Sequence, residues 1–500
     1  MSALPVGIRA WGAYIPRLRL ERKAISTAHG WLAPGLKAKA KGARAMASWD
    51  EDALTMAVEA ARDALGPSND RSFVRQLYFA STTAPFFDRL NAGILAGALT
   101  LRPHLHALDI GGSQRAGLGA LAQALKAAEP GGCALVAMGE RRQARAASAQ
   151  EMDFGDGAAA FLVGHDHIAA EFLGHGAVTD DFVDHFRSEG RFDYVWEERW
   201  TRDEGQLKLL PAAIHQALES AGIEPAEVRR LCVPSTIPGV AQQVAKAVGI
   251  ETSAVTSNLA SEVGEAGTAH GGLMLAHALE SAAPGEIVVV AQFGQGAEAL
   301  VFRTTDELPQ RRPSRGVSGA LSEGRAETNY FKYLVYNDLI DWDRGMRGER
   351  DNKTALTALY RSRDAILGLV GGRCRETGVV QFPRSRISVA PNAHGVDTQE
   401  PYKLSELPGR VLTWSADHLG FSMSPPNHYA IVEFEGGGRI TMDLADVAES
   451  EVEAGMPVKA VFRIKEFDLQ RGFRRYFWKA VPIGRRPAEA AAQEGASSNG

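Results

Sequence analysis

The stretch Leu108 to Leu121, Leu-Asp-Ile-Gly-Gly-Ser-Gln-Arg-Ala-Gly-Leu-Gly-Ala-Leu, carries an apolar approach through a run of small residues into an Ala/Leu-rich helical pattern. It reads as strand, tight turn and buried helix. A side chain at such a turn faces unpaired backbone N–H groups and the positive end of the helix dipole, which favour negative charge and would activate a thiol. The residue there is Gln114, an amide with no nucleophilic atom. A second glycine-rich turn, from Val263 to Gly272, holds Glu265 and, five residues on, His270. These two form an acid/base pair of tunable pKa, or Glu265 caps a helix whose first turns bury His270.

The elements that position these turns alternate strand and helix in the manner of a layered α/β fold. Val6–Ile15, Gln76–Ser81, Cys133–Met138 and Phe154–Gly164 read as strands. Ala53–Ala64 reads as an amphipathic helix behind the acidic run Trp49-Asp50-Glu51-Asp52. From residue 166 to 303 the alternation repeats, with helices at Leu210–Ser220 (Pro211 in its first turn), Val240–Val248 and Gly267–Ser281, and strands at Val228–Val233 and Glu286–Phe293. Pro309–Glu323 has linker composition, and helical patterns follow at Tyr330–Trp342 and Thr354–Leu367. Five short β-rich runs between Val411 and Val481, parted by Gly, Pro and Asp turns, suit a small barrel.

The Asp109-to-Gln114 turn, the Phe154-Gly-Asp-Gly-Ala strand and the Gly294-Gln-Gly296 loop together resemble the thiolase superfamily, in the branch of 3-hydroxy-3-methylglutaryl-CoA (HMG-CoA) synthases and type III ketoacyl synthases. The resemblance implies a duplicated five-layer thiolase fold. Behind it come a helical linker, a degenerate zinc-ribbon and an all-β OB barrel of the DUF35 type. The expected boundaries are 1–165 and 166–305 for the two halves, 306–324 for the linker and 325–369 for the helical segment. The knuckle then takes 370–398, the barrel 399–484 and a disordered tail 485–500.

Carried over position by position, the resemblance puts the acylated cysteine at Gln114, five residues after Asp109. An amide there rules out ping-pong acyl transfer, yet it can mimic an acylated cysteine in an oxyanion hole, or fill an idle pocket. The first catalytic His falls in Val233-Pro-Ser235-Thr236, where Ser235 or Thr236 can offer only a hydrogen bond. The Asn position carries Glu265, with His270 beside it. The general-base Glu falls on Thr82 and Thr83, and the backbone of Gly296 is expected at the oxyanion. Asp184 and His185, in an aromatic insertion running to Trp200, line a substrate channel or form a solvated face stapled by tryptophans. The four zinc positions read Cys374, Thr377, Ala390 and Ala393, so no zinc and no other metal is expected.

A net charge of −5 argues against a nucleic-acid or anionic-membrane partner. No apolar run has transmembrane length, Arg9, Arg17 and Arg19 break up any signal-peptide layout, and three cysteines do not make a disulfide framework. A cytoplasmic protein is expected. The functional expectation is an enzyme that makes or cleaves a C–C bond beside a CoA thioester without a cysteine acyl-enzyme, CoA being a substrate moiety reached past the OB domain and no cofactor being bound permanently. The alternative is a catalytically silent acyl-CoA-binding scaffold or partner of a true thiolase. A homodimer is implied by the resemblance.

Overall fold

The computed structural model describes residues 4–188 and 191–483. The tail expected at 485–500 lies outside the described residues. Nine strands form the main sheet: β1 (Gly7–Tyr14), β2 (Val74–Ala80), β3 (His106–Ile110), β4 (Cys133–Arg141), β5 (Asp156–Gly164), β6 (Ala170–Thr179), β7 (Val228–Cys232), β8 (Ile287–Phe293) and β9 (Gly296–Thr304). Their order is β7-β8-β9-β6-β1-β5-β4-β2-β3.

That order contains one pattern twice. In the first half β2 runs parallel to β3 and β4, while β5 is antiparallel to β4 and to β1. In the second half β7 runs parallel to β8, and β9 is antiparallel to β8 and to β6. The counterpart of β3 has shrunk to a single parallel bridge, Leu231 to Val255. Within the sheet the halves join where Gly7 and Ile8 pair with Glu171 and Ala170, and a further bridge links Phe154 to Glu265. The duplication is therefore carried by topology and strand direction, with little residue-level repeat.

Period-two patterning divides each strand between two cores. Leu77, Phe79, Leu135 and Ala137 face an outer layer of helices α1 (Ala53–Leu65) and α2 (Asn91–Ala98). Tyr78, Ala80, Val136 and Met138 face a central layer, α3 (Ala116–Ala127) and a helix at His270–Ser281, which also covers Val288 and Val290 of β8. Val289 and Ala291 turn the other way, onto α4 (Leu207–Ala221) and α5 (Val240–Val248). With the His270–Ser281 helix as α6, the sequence helix–sheet–helix–sheet–helix gives the five expected layers.

Three local expectations are corrected. Pro211 does not open α4 but lies inside it, directly after a π-type turn at Thr201–Gln206. The 306–324 stretch is no free linker, because it folds as α7 (Gly316–Ser322), whose Val317 and Ala320 are buried in the central core. Finally, Gln399–Lys403 pairs with Val370–Cys374 instead of opening the barrel.

The barrel proper has five antiparallel strands: β10 (Gly409–Asp417), β11 (Asn427–Phe434), β12 (Arg439–Asp443), β13 (Pro457–Asp468) and β14 (Phe473–Pro482), in the order β12-β11-β10-β13-β14. It closes through the Ala445 N–H, which donates to Ala480 O at 2.9 Å. Its Phe462 and Trp478 share one continuous core with Leu54, Val58 and Leu95 of α1 and α2. The acidic run ahead of α1 is buried and latches onto this barrel. Asp50 pairs with Lys479 at 2.9 Å, Glu51 with Arg463, and Asp52 accepts from the Tyr476 hydroxyl at 2.8 Å while capping α1 through Thr55. Burial opposes ionisation of Asp50, but the Lys479 ammonium outweighs it and holds the carboxyl below its ordinary range.

In the small three-stranded sheet of Val370–Cys374, Val380–Gln381 and Gln399–Lys403, Cys374 is buried, with Sγ 3.2 Å from Thr398 Oγ1. Hydrogen bonds from Thr377 and Thr398 hold the thiol down at about 6. No metal-holding group of three or more His, Cys, Asp or Glu side chains occurs among the described residues.

Candidate active site

The first half places three polar segments at the C-terminal edge of its parallel strands, the edge at which α/β sheets receive ligands. Thr82 and Thr83 follow β2, Gln114 follows β3, and Glu140 ends β4. Asp109, the residue that registers the turn, uses both carboxylate oxygens to hold the start of α2, accepting from Asn91 N and Ala92 N at 2.7 Å each. Gln114 is 7% exposed. Its Nε2 donates to Thr82 Oγ1 at 3.3 Å, whereas its Oε1 is buried without a partner.

Glu140, which the sequence reading missed, is the hub of this site. It is fully buried and accepts from Thr82 N (3.2 Å), Thr82 Oγ1 (3.0 Å), Thr83 Oγ1, Ser81 Oγ (3.4 Å) and Thr268 N (3.1 Å). A carboxylate ending the apolar run Cys133–Gly139 was the available signal, since buried charge is costly unless it is held this way. Thr82 and Thr83, expected to touch substrate, are therefore the arms of a carboxylate that arrives from the next strand.

The second glycine-rich turn meets the first at Gly267. A Cβ on Gly267 would lie 2.5 Å from Gln114 Oε1 and 2.8 Å from Glu140 Cγ, and its φ of +51° also favours glycine. Gly117 makes the same allowance from α3, because a Cβ there would lie 2.3 Å from Thr268 O. Beside Gly267, Thr268 Oγ1 and Gln292 Oε1 are also buried without partners, while Gln292 Nε2 donates to Gly267 O at 2.9 Å. Three buried oxygens without partners thus gather around one turn.

Glu265 and His270 do not hydrogen-bond to each other, which corrects the expected pair. Glu265 is ion-paired with Arg142, whose other nitrogen meets Asp193 Oδ2 at 2.7 Å. His270 Nδ1 accepts from Ala266 N at 3.0 Å, and Nε2 donates to Asn258 O at 2.8 Å. Burial pushes the His270 pKa down against the pull of Glu265, so the ring is neutral and both nitrogens are occupied. The residue closes the entry to α6.

Gly296 is likewise displaced from its expected role. It opens β9 opposite Thr179, packed against Val178 O. The loop residue against the Gln114 backbone is Gly294, whose added Cβ would sit 3.2 Å from Gln114 N and whose carbonyl accepts from Ser113 Oγ at 2.6 Å. Ser235 bonds to Gln206 Oε1 at 2.9 Å, and Thr236 is exposed. Neither hydrogen-bonds to Gln114 or Glu140, though Ser235 O accepts from Asn258 Nδ2 at 3.3 Å behind His270.

Asp184 and His185 pair at 2.8 Å, and Gln295 Nε2 donates to Asp184 Oδ1 at 2.9 Å. With Phe186, Tyr194, Trp196 and Trp200 they line a cleft of about 280 Å³. A far larger cavity, about 600 Å³, opens on the other side, where Thr82 and Thr83 form part of its wall. Arg187 ties the two sides together, donating to Asp193 Oδ1 at 2.8 Å and to the Thr82 carbonyl.

Comparison with solved structures defines the class. The curacin-pathway HMG synthase bound to its apo donor-ACP superimposes with a TM-score of 0.60 at 16% identity, covering 80% of this chain and 100% of that one. HMG-CoA synthase complexed with CoA gives 0.58 at 16% over 70% and 94%, and the Pseudomonas aeruginosa 3-oxoacyl-(acyl carrier protein) synthase III gives 0.53 at 19% over 60% and 98%. The fold is the thiolase fold. The sequence adds that the chain is HMG-CoA synthase-like. It is 27% identical over 351 residues to the hydroxymethylglutaryl-CoA synthase of Caldivirga maquilingensis, covering 68% of this chain and 100% of that protein. With the Aeropyrum pernix enzyme it shares 28% over 334 residues, covering 65% and 92%. Residues 402–463 match the family described as ChsH2, C-terminal OB-fold domain. The chain is thus a fusion of an HMG-CoA synthase-like thiolase fold with an OB-fold domain.

Proposed function

We propose that this chain is an acyl-CoA enzyme that makes or breaks a C–C bond next to the thioester through an enolate, without a cysteine acyl-enzyme. The observation that carries the reading is the set Gln114–Thr82–Glu140. An amide occupies the nucleophile turn, its oxygen is unpaired, and the hydroxyl beside it is backed by a buried carboxylate. Loss of CO₂ from a β-carboxy thioester leaves its electron pair as an enolate. The Gln114 Nε2–H and the N-terminus of α3 would stabilise the enolate oxygen, and the α carbon would take a proton from a water held by Thr82, the hydroxide left behind combining with the released CO₂ as bicarbonate. Neither step needs a thiol. Glu265 and His270 act here as positioning residues that hold Arg142 and the α6 turn.

The saturation of Glu140 by five donors and the sealed His270 favour a second reading, a silent acyl-CoA binder. Single-turnover release of CO₂ from malonyl-CoA, with α-hydrogen exchange of 3-oxoacyl-CoA in D₂O, separates the two. The enzyme reading expects both reactions in the wild type, at least 100-fold loss in Gln114→Ala and Glu140→Gln, and a smaller loss in Glu265→Gln and His270→Ala. If CoA thioesters bind and neither reaction occurs, the silent reading replaces it. We also propose a homodimer. Its support is β3, the last strand of the sheet, whose Leu108 is 42% exposed. Light scattering of the wild type and Leu108→Lys tests it.

A further inference from the structure

The cavity of about 600 Å³ has a wall that no synthase-like half supplies: Phe421, Met423 and Arg474 come from the barrel. The β10–β11 loop that carries Phe421 is clamped by the 339–352 segment, since Trp342 stacks on Phe421 at 6.1 Å and Arg347 donates to Leu419 O. Thr82 and Thr83 belong to the same lining, so the cavity adjoins Thr82, the residue that also contacts Gln114. The volume lies in the ~300–1,000 Å³ range that encloses drug-sized molecules, far beyond the needs of an acetyl or malonyl group.

The charges on the walls discriminate between possible occupants. Seven Arg and Lys side chains face five carboxylates, and most are already paired. Arg191 is held by Asp338, Lys465 by Asp443, Arg474 by Asp52 and Arg187 by Asp193. Arg350, exposed and bonded only to the Arg347 carbonyl, is the lining cation on that wall without a carboxylate partner, so a coenzyme bearing three phosphate groups would meet mostly paired cations and several acidic groups. Arg141, deeper than Arg350, is in no ion pair either, although Asp156, Asp52 and Glu51 are near enough for their charges to act on it. Its guanidinium donates only to uncharged acceptors, Tyr336 O at 2.8 Å, Asn337 Oδ1 at 3.2 Å and Glu51 O, and its Nε is buried with no partner. Its backbone N–H donates to Thr83 Oγ1 at 2.9 Å, which fixes it at the site end of the cavity.

We infer that the barrel completes an acyl-group cavity, and that the acyl group it takes is long or ring-bearing and carries a second carboxylate that meets Arg141. The inference rests on the acyl-CoA reading above and deepens it, assigning the barrel side to the acyl part of the substrate and not to the coenzyme. Met423 and Phe421 set the size limit, and Arg141 sets the charge preference.

The test is equilibrium binding by the full-length protein, measured without turnover. The probes are acetoacetyl-CoA, 3-oxododecanoyl-CoA, the ω-carboxy analogue of the latter and free CoA. The expected order places the ω-carboxy thioester at least tenfold tighter than acetoacetyl-CoA. Met423→Trp should shrink the long-to-short ratio at least tenfold for both long probes. Arg141→Gln should shrink only the ratio between the two long probes. Melting temperatures and far-UV circular dichroism identify any variant that fails to fold, and Phe421→Trp then serves as the second size variant. Equal affinity of the wild type for all three thioesters overturns the inference. So does a Met423→Trp variant that weakens free CoA as much as the long thioesters, because the cavity would then hold the coenzyme. The enolate reading is tested separately, by CO₂ release and hydrogen exchange. If those reactions are absent while the binding order holds, the enolate reading falls and the acyl cavity stands.

Discussion

The two turns that meet at Gly267 were equal candidates for chemistry, and their hydrogen-bond accounts differ. At the α6 turn, His270 spends both nitrogens on backbone and Glu265 is neutralised by Arg142. At the α3 turn, the Gln114 oxygen is buried and unspent, and Thr82 links the amide to a carboxylate. A polar group that has satisfied itself internally holds structure. One left wanting, against glycines, is the kind of group that can take a partner.

The sharpest way to break this contrast is to change the hub. Glu140→Ala strands five buried or half-buried donors and should cost about 3 kcal/mol or more in stability, read by chemical denaturation, together with at least 100-fold in enolate chemistry. Gln114→Ala should lower the same chemistry about 100-fold with little change in melting temperature, since only one weak hydrogen bond is lost. If Gln114→Ala destabilises the fold as much as Glu140→Ala does, the amide is part of the packing and the contrast fails. His270→Ala should do the reverse, costing ~1–3 kcal/mol of stability while enolate chemistry falls less than tenfold. Gly267→Ala should sit between them, straining both turns through the Gln114 contact and lowering the melting temperature by several degrees.

A pH-dependent effect concerns the joint between the first half and the 370–406 segment, where Arg62 and Arg71 grip Glu406 at 3.1 and 3.0 Å beside Lys403. Burial opposes ionisation of Glu406, but Arg62, Arg71 and Lys403 hold it down at about 2, so the unfolded chain binds the extra proton between 4.5 and 2. Its stabilisation is complete above pH 4.5 and is lost as the pH falls toward 2. Lys403 is pushed down to about 7 by burial and then by Arg71, against Glu406, so the unfolded chain binds the extra proton between 7 and 10.5. Stability should therefore rise with pH across that window. Calorimetry from pH 2 to 10 on the wild type and Glu406→Gln checks both signs, and the acid limb should flatten in the variant.

The fold was legible because it is written in local patterns. Runs such as Cys133–Met138 and Glu286–Phe293 can hardly be anything but buried strands, and the spaced β runs after Val411 announced a barrel. The site was half legible. Gln114 and the Gly267 turn could be found because each sits in a contiguous stretch of small residues. Glu140, Gln292 and Gly294 could not, because each matters only through partners 25 or more residues away. Composition misled at 306–324, where Arg, Pro, Ser and Gly hid Val317 and Ala320, and at Trp49–Asp52, whose acids serve the barrel as much as the helix they precede. A glutamate at the end of an apolar run looks the same whether it meets water or five donors. Only the neighbouring strands tell which.

The interior shared by Leu54, Val58, Phe462 and Trp478 has a kinetic consequence. A barrel fused through its hydrophobic centre to the helices beneath it cannot swing aside as a rigid lid, for that would wet both faces of the joint at once. Entry to the large cavity would instead fall to the strap at 339–352 and the hairpin loop it grips, held by the Trp342–Phe421 stack, the Arg347–Leu419 carbonyl bond and the Asp351–Arg471 ion pair. Substrate admission would then run on the microsecond clock of loops, while the barrel itself stays still.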